Sequence, residues 1–339
     1  MVKVLPVFLV LLLATSVWAE PRVVVSIKPV HSLVAAVMEG IAEPDLLLSG
    51  GESPHGHALR PSQARALAAA DLVFWIGPDL ETFLVRPLRS LSAGARVVSL
   101  LDTPGIELHA ARAGGVWEAH HHGHGHDHGH GHHHDKDHKH PKPDHNHKRD
   151  HSHNHDHGHA DKREPEPSPD AHLWLDPVNA RAIVALALAE LSELIPAERE
   201  RLAANAARLT QRLQDLEAEL EGLLAPVREV PFVVFHDAYQ YLEKRYRLNA
   251  VGSITLDPER TPSAQRVREV QGLIRARGAR CVFAEPQFTP RLVATVVEGS
   301  GARQGVLDPL GADLEPGSEA YFRLLRDLGE NLHACLAHE

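Results

Sequence analysis

Residues 120–159 hold 19 histidines, with 6 Asp, 5 Lys or Arg, 5 Gly, 2 Pro, 2 Asn and 1 Ser, and not one apolar side chain. Such a run has nothing to bury, so it is predicted to be disordered without metal. The prolines of Glu164-Pro165-Glu166-Pro167-Ser168-Pro169 keep the following chain extended, which sets a disordered insertion over 120–168. Any fold must therefore be built from the two flanking blocks with this segment looped out. Loop-closure entropy rises only logarithmically with length and permits that.

The flanking blocks can form cores, because the 339-residue chain is 43% hydrophobic and 24% charged, an ordinary globular balance. Its 35 Lys and Arg against 45 Asp and Glu give a formal charge of -10 and no basic field, so no nucleic acid partner is expected. At the start, Met1 and Lys3 precede an apolar run from Val4 to Val17, and Val17-Trp18-Ala19 is a small-x-small cleavage site. Residues 1–19 read as a signal peptide cut near Ala19. The run falls short of the roughly 20 residues that a bilayer span needs, so a soluble periplasmic protein is expected, with an uncleaved anchor as the alternative. Cys281 and Cys335 are the only cysteines, and neither lies beside the cleavage site, where a lipid-modified one would have to be. In an exported protein such a pair reads as a disulfide, the rival being a reactive thiol couple.

Short apolar runs alternate with helical patterns on both sides of the insertion. The predicted strands are 23–27, 46–48, 72–76 and 97–100, then 232–235, 251–254, 282–284 and 306–307. Helices fall between them, among them 30–38, 61–70 and 262–277, the last with Thr261 as its candidate N-cap. This alternation predicts an α/β fold of two lobes, each a parallel sheet of about four strands with flanking helices. Asp176-Pro177 is a cap-then-proline start for a helix ending near Leu194. Leu202, Leu209, Leu213, Leu216, Leu220 and Leu223 then form one helical stripe, closed by Pro226. The expected organisation is an N-terminal lobe over 20–198, a linking helix over 199–225 that restrains hinge closure, and a C-terminal lobe over 226–339.

Three histidines outside the tract fall where such a fold makes a crevice: His55 after the second strand, His172 before the helix at Asp176, and His236 at the end of a strand. In open α/β sheets ligands bind beyond the carboxyl ends of strands. The surrounding sequence resembles one family. SPHGHALRPSQ at 53–63, HLWLDPVNA at 172–180, VFHDAYQYLEKRYRL at 234–248, FAEPQFTP at 283–290 and VLDPLGADL at 306–314 are similar to stretches of the zinc-specific substrate-binding proteins of ABC importers, of the ZnuA type within the metal-binding cluster A-I (cluster 9). The likeness spans essentially the whole mature chain, including a His-rich insertion before the second motif. It implies two four-stranded lobes bridged by a long helix, Zn(II) held between them, and His55, His172 and His236 as ligands. Neutral imidazoles suit zinc, whereas manganese wants more carboxylate oxygen, and in several manganese-binding relatives the position of His236 is Glu. Some relatives carry a carboxylate immediately before the first histidine, where this chain has Pro54. The fourth ligand is left to water, Asp308 or Glu285, the last also readable as structural.

The tract itself offers auxiliary weak sites, first among them His120, His121, His122, His124, His126, His128, His130, His132, His133 and His134. Disordered imidazoles lose entropy when they coordinate, so these sites should be plural, weaker and fast to exchange. Delivery, sensing and simple buffering of zinc are all open to it. The resemblance implies a periplasmic carrier, expected to be monomeric, that hands zinc to an inner-membrane ABC permease with its ATPase subunits, and an auxiliary periplasmic zinc carrier is a further candidate partner. The chain has no GxxxxGK[ST] phosphate loop to power transport itself. No enzymatic activity is expected. A periplasmic zinc buffer or chaperone is the first alternative, and a zinc-dependent hydrolase the second, weakened by the absence of an HExxH helix.

Overall fold

Apolar runs too short for helices, each bounded by turn residues, pair in parallel once helices cover both of their faces. A computed structural model describes residues 21–49, 51–112, 116–117, 168–255 and 258–338. In it β1 (Val23–Ile27), β2 (Asp45–Leu48), β3 (Leu72–Trp75) and β4 (Arg96–Ser99) form one parallel sheet in the order β2-β1-β3-β4. A second parallel sheet of β5 (Phe232–Val234), β6 (Ala250–Ser253), β7 (Cys281–Ala284) and β8 (Arg303–Val306) repeats that order as β6-β5-β7-β8. The two-sheet α/β reading holds. The outermost strand of the second half covers Arg303–Val306 rather than 306–307, because its residues alternate between half-buried and exposed and so show little apolar character in sequence.

The helices are α1 (Lys28–Val37), α2 (Pro61–Ala68), α3 (Val85–Leu91), α4 (Pro177–Leu194), α5 (Arg199–Leu224), α6 (Gln240–Tyr246), α7 (Ala264–Arg277), α8 (Pro290–Val297) and α9 (Ala320–Leu336). Asp176 caps α4 as its sequence suggested, its carboxylate accepting the Val178 N–H at 2.8 Å. The cap of α7 is Ser263, not Thr261: its hydroxyl accepts the Arg266 N–H at 3.1 Å and the helix starts two residues later than expected. The 26 residues of α5 make a rod about 39 Å long. Its buried stripe runs from Leu202 through Leu220 and ends on Leu224, with Leu223 only half-buried. Gly329 lets α9 lie close against this rod, since a Cβ there would sit 2.6 Å from a methyl of Leu220.

One hydrophobic cluster runs from β1 and α1 through α4, α5 and α9 to β5 and β7, so the inner faces of both sheets share a core. Each sheet has its own smaller outer cluster, Val24, Val73 and Leu84 in the first half and Val233, Ile274 and Val282 in the second. Cys281 and Cys335 are joined as a disulfide with Cα atoms 6.3 Å apart, which ties α9 to β7. Among the described residues no helix is long and apolar enough to cross a membrane. The expected signal peptide over 1–19 and the histidine run, including the candidate auxiliary sites from His120 to His134, lie outside the described residues. Ser168, placed by the sequence in the disordered insertion, is described, and its carbonyl accepts the Ala111 N–H at 2.9 Å.

Candidate metal centre

His55 stands in the loop between β2 and α2, half-buried, with its N–H donating to the Ser53 hydroxyl at 3.3 Å. The loop folds around Gln63, whose side-chain oxygen accepts the Arg60 N–H at 2.7 Å and meets His57 Nε2 at 2.9 Å, while its amide nitrogen donates to Leu47 O at 2.7 Å. Glu259, from the other half, comes close to Gly56: a Cβ there would sit 2.7 Å from its carboxyl carbon.

His172 and His236 are buried, and each has a carboxylate behind it. Asp170 Oδ1 lies 2.9 Å from His172 Nδ1 and accepts the His172 N–H at 3.0 Å. Glu285, where β7 ends, places Oε1 2.7 Å from His236 Nδ1 and accepts the His236 N–H at 3.3 Å. A carboxylate on Nδ1 fixes that nitrogen as the donor and leaves the Nε2 lone pair for a metal. The two Nε2 atoms face each other at 3.3 Å. Two nitrogens bound tetrahedrally to zinc at about 2.0–2.1 Å lie about 3.3–3.4 Å apart, so this pair already has the spacing of coordinated ligands. One ligand atom from each of His55, His172 and His236 falls within 4.8 Å of the others.

The walls are apolar, with Pro54, Trp174, Phe288, Pro309 and Leu310 among the lining residues. Burial alone would depress the His236 imidazole, yet its pKa is raised, because the charge and hydrogen bond of Glu285 outweigh desolvation, with smaller help from Asp237 and Asp170. The two carboxylate candidates for the fourth ligand each have another partner, although Glu285 Oε2 is buried without one among the described residues. Glu285 serves His236, and neither it nor Asp308 belongs to the converging donor group. Asp308 accepts the N–H groups of Leu310, Gly311 and Ala312 and the Gln287 amide at 2.5–3.0 Å, which shapes the loop carrying Pro309 and Leu310. That loop is held from the first half by Lys28, whose Nζ donates to the carbonyls of Gly311, Ala312 and Leu314 at 2.6–3.0 Å, and by Trp174 Nε1, which donates to Pro309 O at 2.7 Å.

The sequence profile described as Zinc-uptake complex component A periplasmic matches residues 23–335 of this chain. A protein of Brucella suis biovar 1 named High-affinity zinc uptake system protein ZnuA is 48% identical over 315 residues, covering 93% of this chain and 91% of that protein. The chain belongs to the ZnuA family. The same name is carried by a protein of Paracoccus denitrificans, 46% identical over 93% of this chain and 92% of its own length. A crystal structure of ZnuA shares the fold with a TM-score of 0.70 at 20% identity, covering 94% of this chain and all of that one.

The three histidines lie in the motifs that carried the resemblance, and the structure brings them together. Asp170, Trp174 and Lys28 were not singled out by sequence. Asp170 had a readable signal, an acid two residues before a candidate ligand. Lys28 had none, since its partners are backbone carbonyls of a loop far along the chain.

Proposed function

We propose that this chain captures Zn(II) as cargo between its two halves in the periplasm and passes it to an inner-membrane ABC permease driven by partner ATPase subunits. The observation that carries this is the convergence of His55, His172 and His236, from three distant parts of the chain, with Nε2 of two of them 3.3 Å apart and a carboxylate behind each. Three neutral imidazoles are zinc's chemistry. Water takes the fourth position, because Asp308 is occupied by backbone N–H groups and Glu285, which turns Oε1 to His236 Nδ1, does not belong to the converging donor group. Ligands drawn from both halves make metal capture and interlobe geometry one event, and the permease releases the ion by disturbing that geometry.

The mature chain starts near Glu20 after signal cleavage and works as a monomer without catalysing a reaction. Its lobes are bounded at 198 and 226 by the linking helix. The histidine run supplies weak, fast-exchanging zinc sites in addition to the tight one. Calorimetric titration of the mature protein and of a version lacking residues 120–159 tests this directly. One tight site should survive the deletion while several weaker ones vanish; loss of the tight site with the run would make the chain a zinc buffer instead.

A further inference from the structure

Both stems of the insertion are fastened at the metal centre. Ala110 and Pro169 pair as an antiparallel bridge, and the Asp170 N–H donates to His109 O at 2.7 Å. Gln240 of α6 spans the two stems, its amide donating to Ala110 O at 3.1 Å and to Asp170 Oδ2 at 3.2 Å. Asp170 is the carboxylate behind His172.

Two residues past the bridge, Arg112 crosses to the second half. Its Nε donates to both oxygens of Asp237 at 3.0 Å, its Nη1 to Glu243 Oε2 at 2.6 Å, and its Nη2 to Glu243 Oε1 at 3.1 Å and to Asp237 Oδ1. The Trp117 ring covers the guanidinium, with Cζ 3.5 Å from the ring centre. Val116 O in turn accepts from Arg266 Nη2 at 2.9 Å. The Asp237 and Glu243 side chains are only 4% and 7% exposed, and among the described residues Arg112 is the cation that pairs with both. Asp237 adjoins His236, and Gln240 lies between Asp237 and Glu243. One guanidinium thus holds together the 237–243 segment on which His236 depends directly and His172 through Gln240 and Asp170.

We propose that Arg112 is a positioning residue for the metal centre, a clamp at the root of the insertion that fixes the 237–243 segment and slows escape of the bound ion. The inference rests on the zinc-carrier reading above. Two buried carboxylates without their shared cation repel each other, and the segment relaxes toward solvent. Lysine is no substitute, because a compact ammonium cannot fork across two carboxylates. The clamp lies outside 120–159, so it works whether or not the histidine run is present.

The test is zinc release from the mature full chain loaded with one equivalent of zinc, followed by stopped-flow mixing with excess chelator. Arg112→Lys, in protein still folded at the assay temperature, should release zinc about tenfold faster, the low end of what partners behind a ligand contribute. The same ratio should appear in a chain lacking 120–159. If Arg112→Lys fails to fold, the neutral triple variant R112M/D237N/E243Q removes the clamp without leaving a bare buried charge, and it too should release about tenfold faster. A folded variant that holds zinc and releases it at the wild-type rate overturns the clamp, and so does an effect that disappears with residues 120–159. A wild-type chain with no tight zinc site overturns the carrier reading instead.

Discussion

The two halves use one scaffold and put different chemistry near the ends of corresponding strands. Where the first strand of each sheet ends, the first half has Lys28 and the second has His236 two residues beyond β5. Lys28 reaches across to three carbonyls of the 311–314 loop, and burial lowers its pKa against the pull of Asp308, Glu315 and Asp313. Beyond the third strand each half buries a carboxylic acid. Glu285 meets an imidazole at 2.7 Å and orients it. Glu81 is wholly buried with no ion-pair partner among the described residues, and burial pushes its carboxyl up to about 7 against the weaker pull of the Ser26 hydroxyl and the Gly77 and Ile76 backbone. The scaffold supplies strand ends, while the partner at each end decides whether a buried ionisable group holds a loop, orients an imidazole or sits neutral.

The sharpest break would come from the ligands themselves. His236→Ala and His172→Ala should each lose the tight zinc site in calorimetric titration, because each removes a buried, carboxylate-backed imidazole. His55→Ala should weaken binding and leave the remaining pair able to hold zinc. Equal losses at all three positions would erase the distinction between oriented and loop-borne ligands.

The next effect separates the halves by stability. The disulfide closes a loop of sequence separation 54 in the second half, and no cysteine serves the first. By the loop-entropy relation its removal should cost about 4 kcal/mol. Chemical denaturation of Cys335→Ser should show that loss, while zinc affinity well below the unfolding transition stays at the wild-type value. An affinity that fell with the disulfide would tie the metal centre to the far end of α9.

Glu81 gives a smaller and pH-dependent effect. Its folded pKa of about 7 stands above the ordinary 4.5, so the folded state holds its proton more tightly than the unfolded chain does. The stability this contributes is fully present below 4.5 and is lost as pH rises through about 7. Glu81→Gln should therefore stabilise the protein by about 3 kcal/mol at pH 8, and the gain should shrink steadily toward pH 5. Unfolding midpoints at the two pH values read this. A gain independent of pH would mean that packing, not ionisation, separates the two side chains.

Most of the fold was legible because both of its signals are local. Apolar runs marked the strands, and Asp176-Pro177 fixed the start of α4. The errors fell where local signals are weak: the outermost strand β8, with alternating exposure, and α7, where Thr261 and Ser263 are both plausible caps and only backbone geometry chooses. At the site the three converging histidines were legible from motifs, but the residues packed behind them were not. Glu285, weighed as a fourth ligand or a structural residue, places one oxygen 2.7 Å from His236 Nδ1, a contact that residue type alone does not reveal. Lys28 and Arg112 act through contacts 283 and 131 positions away, which no spacing rule reaches.

The finest test lies between Glu285 and zinc. Glu285→Gln keeps an oxygen to accept the Nδ1–H but removes the charge, so zinc affinity at pH 8 should fall at the low end of the roughly 10–100-fold range for partners behind a ligand. The same charge also favours a proton on His236, whose pKa it raises after burial has pulled it down. Zinc and proton compete for that ring. In the wild type, acidification should begin to displace zinc at a pH above the ordinary imidazole value near 6.5, and in the variant only at lower pH. The affinity gap should therefore narrow as pH falls from 8 to 6. A constant gap across that range would mean that Glu285 orients His236 without tuning it, and would make it only a positional counterpart of Asp170.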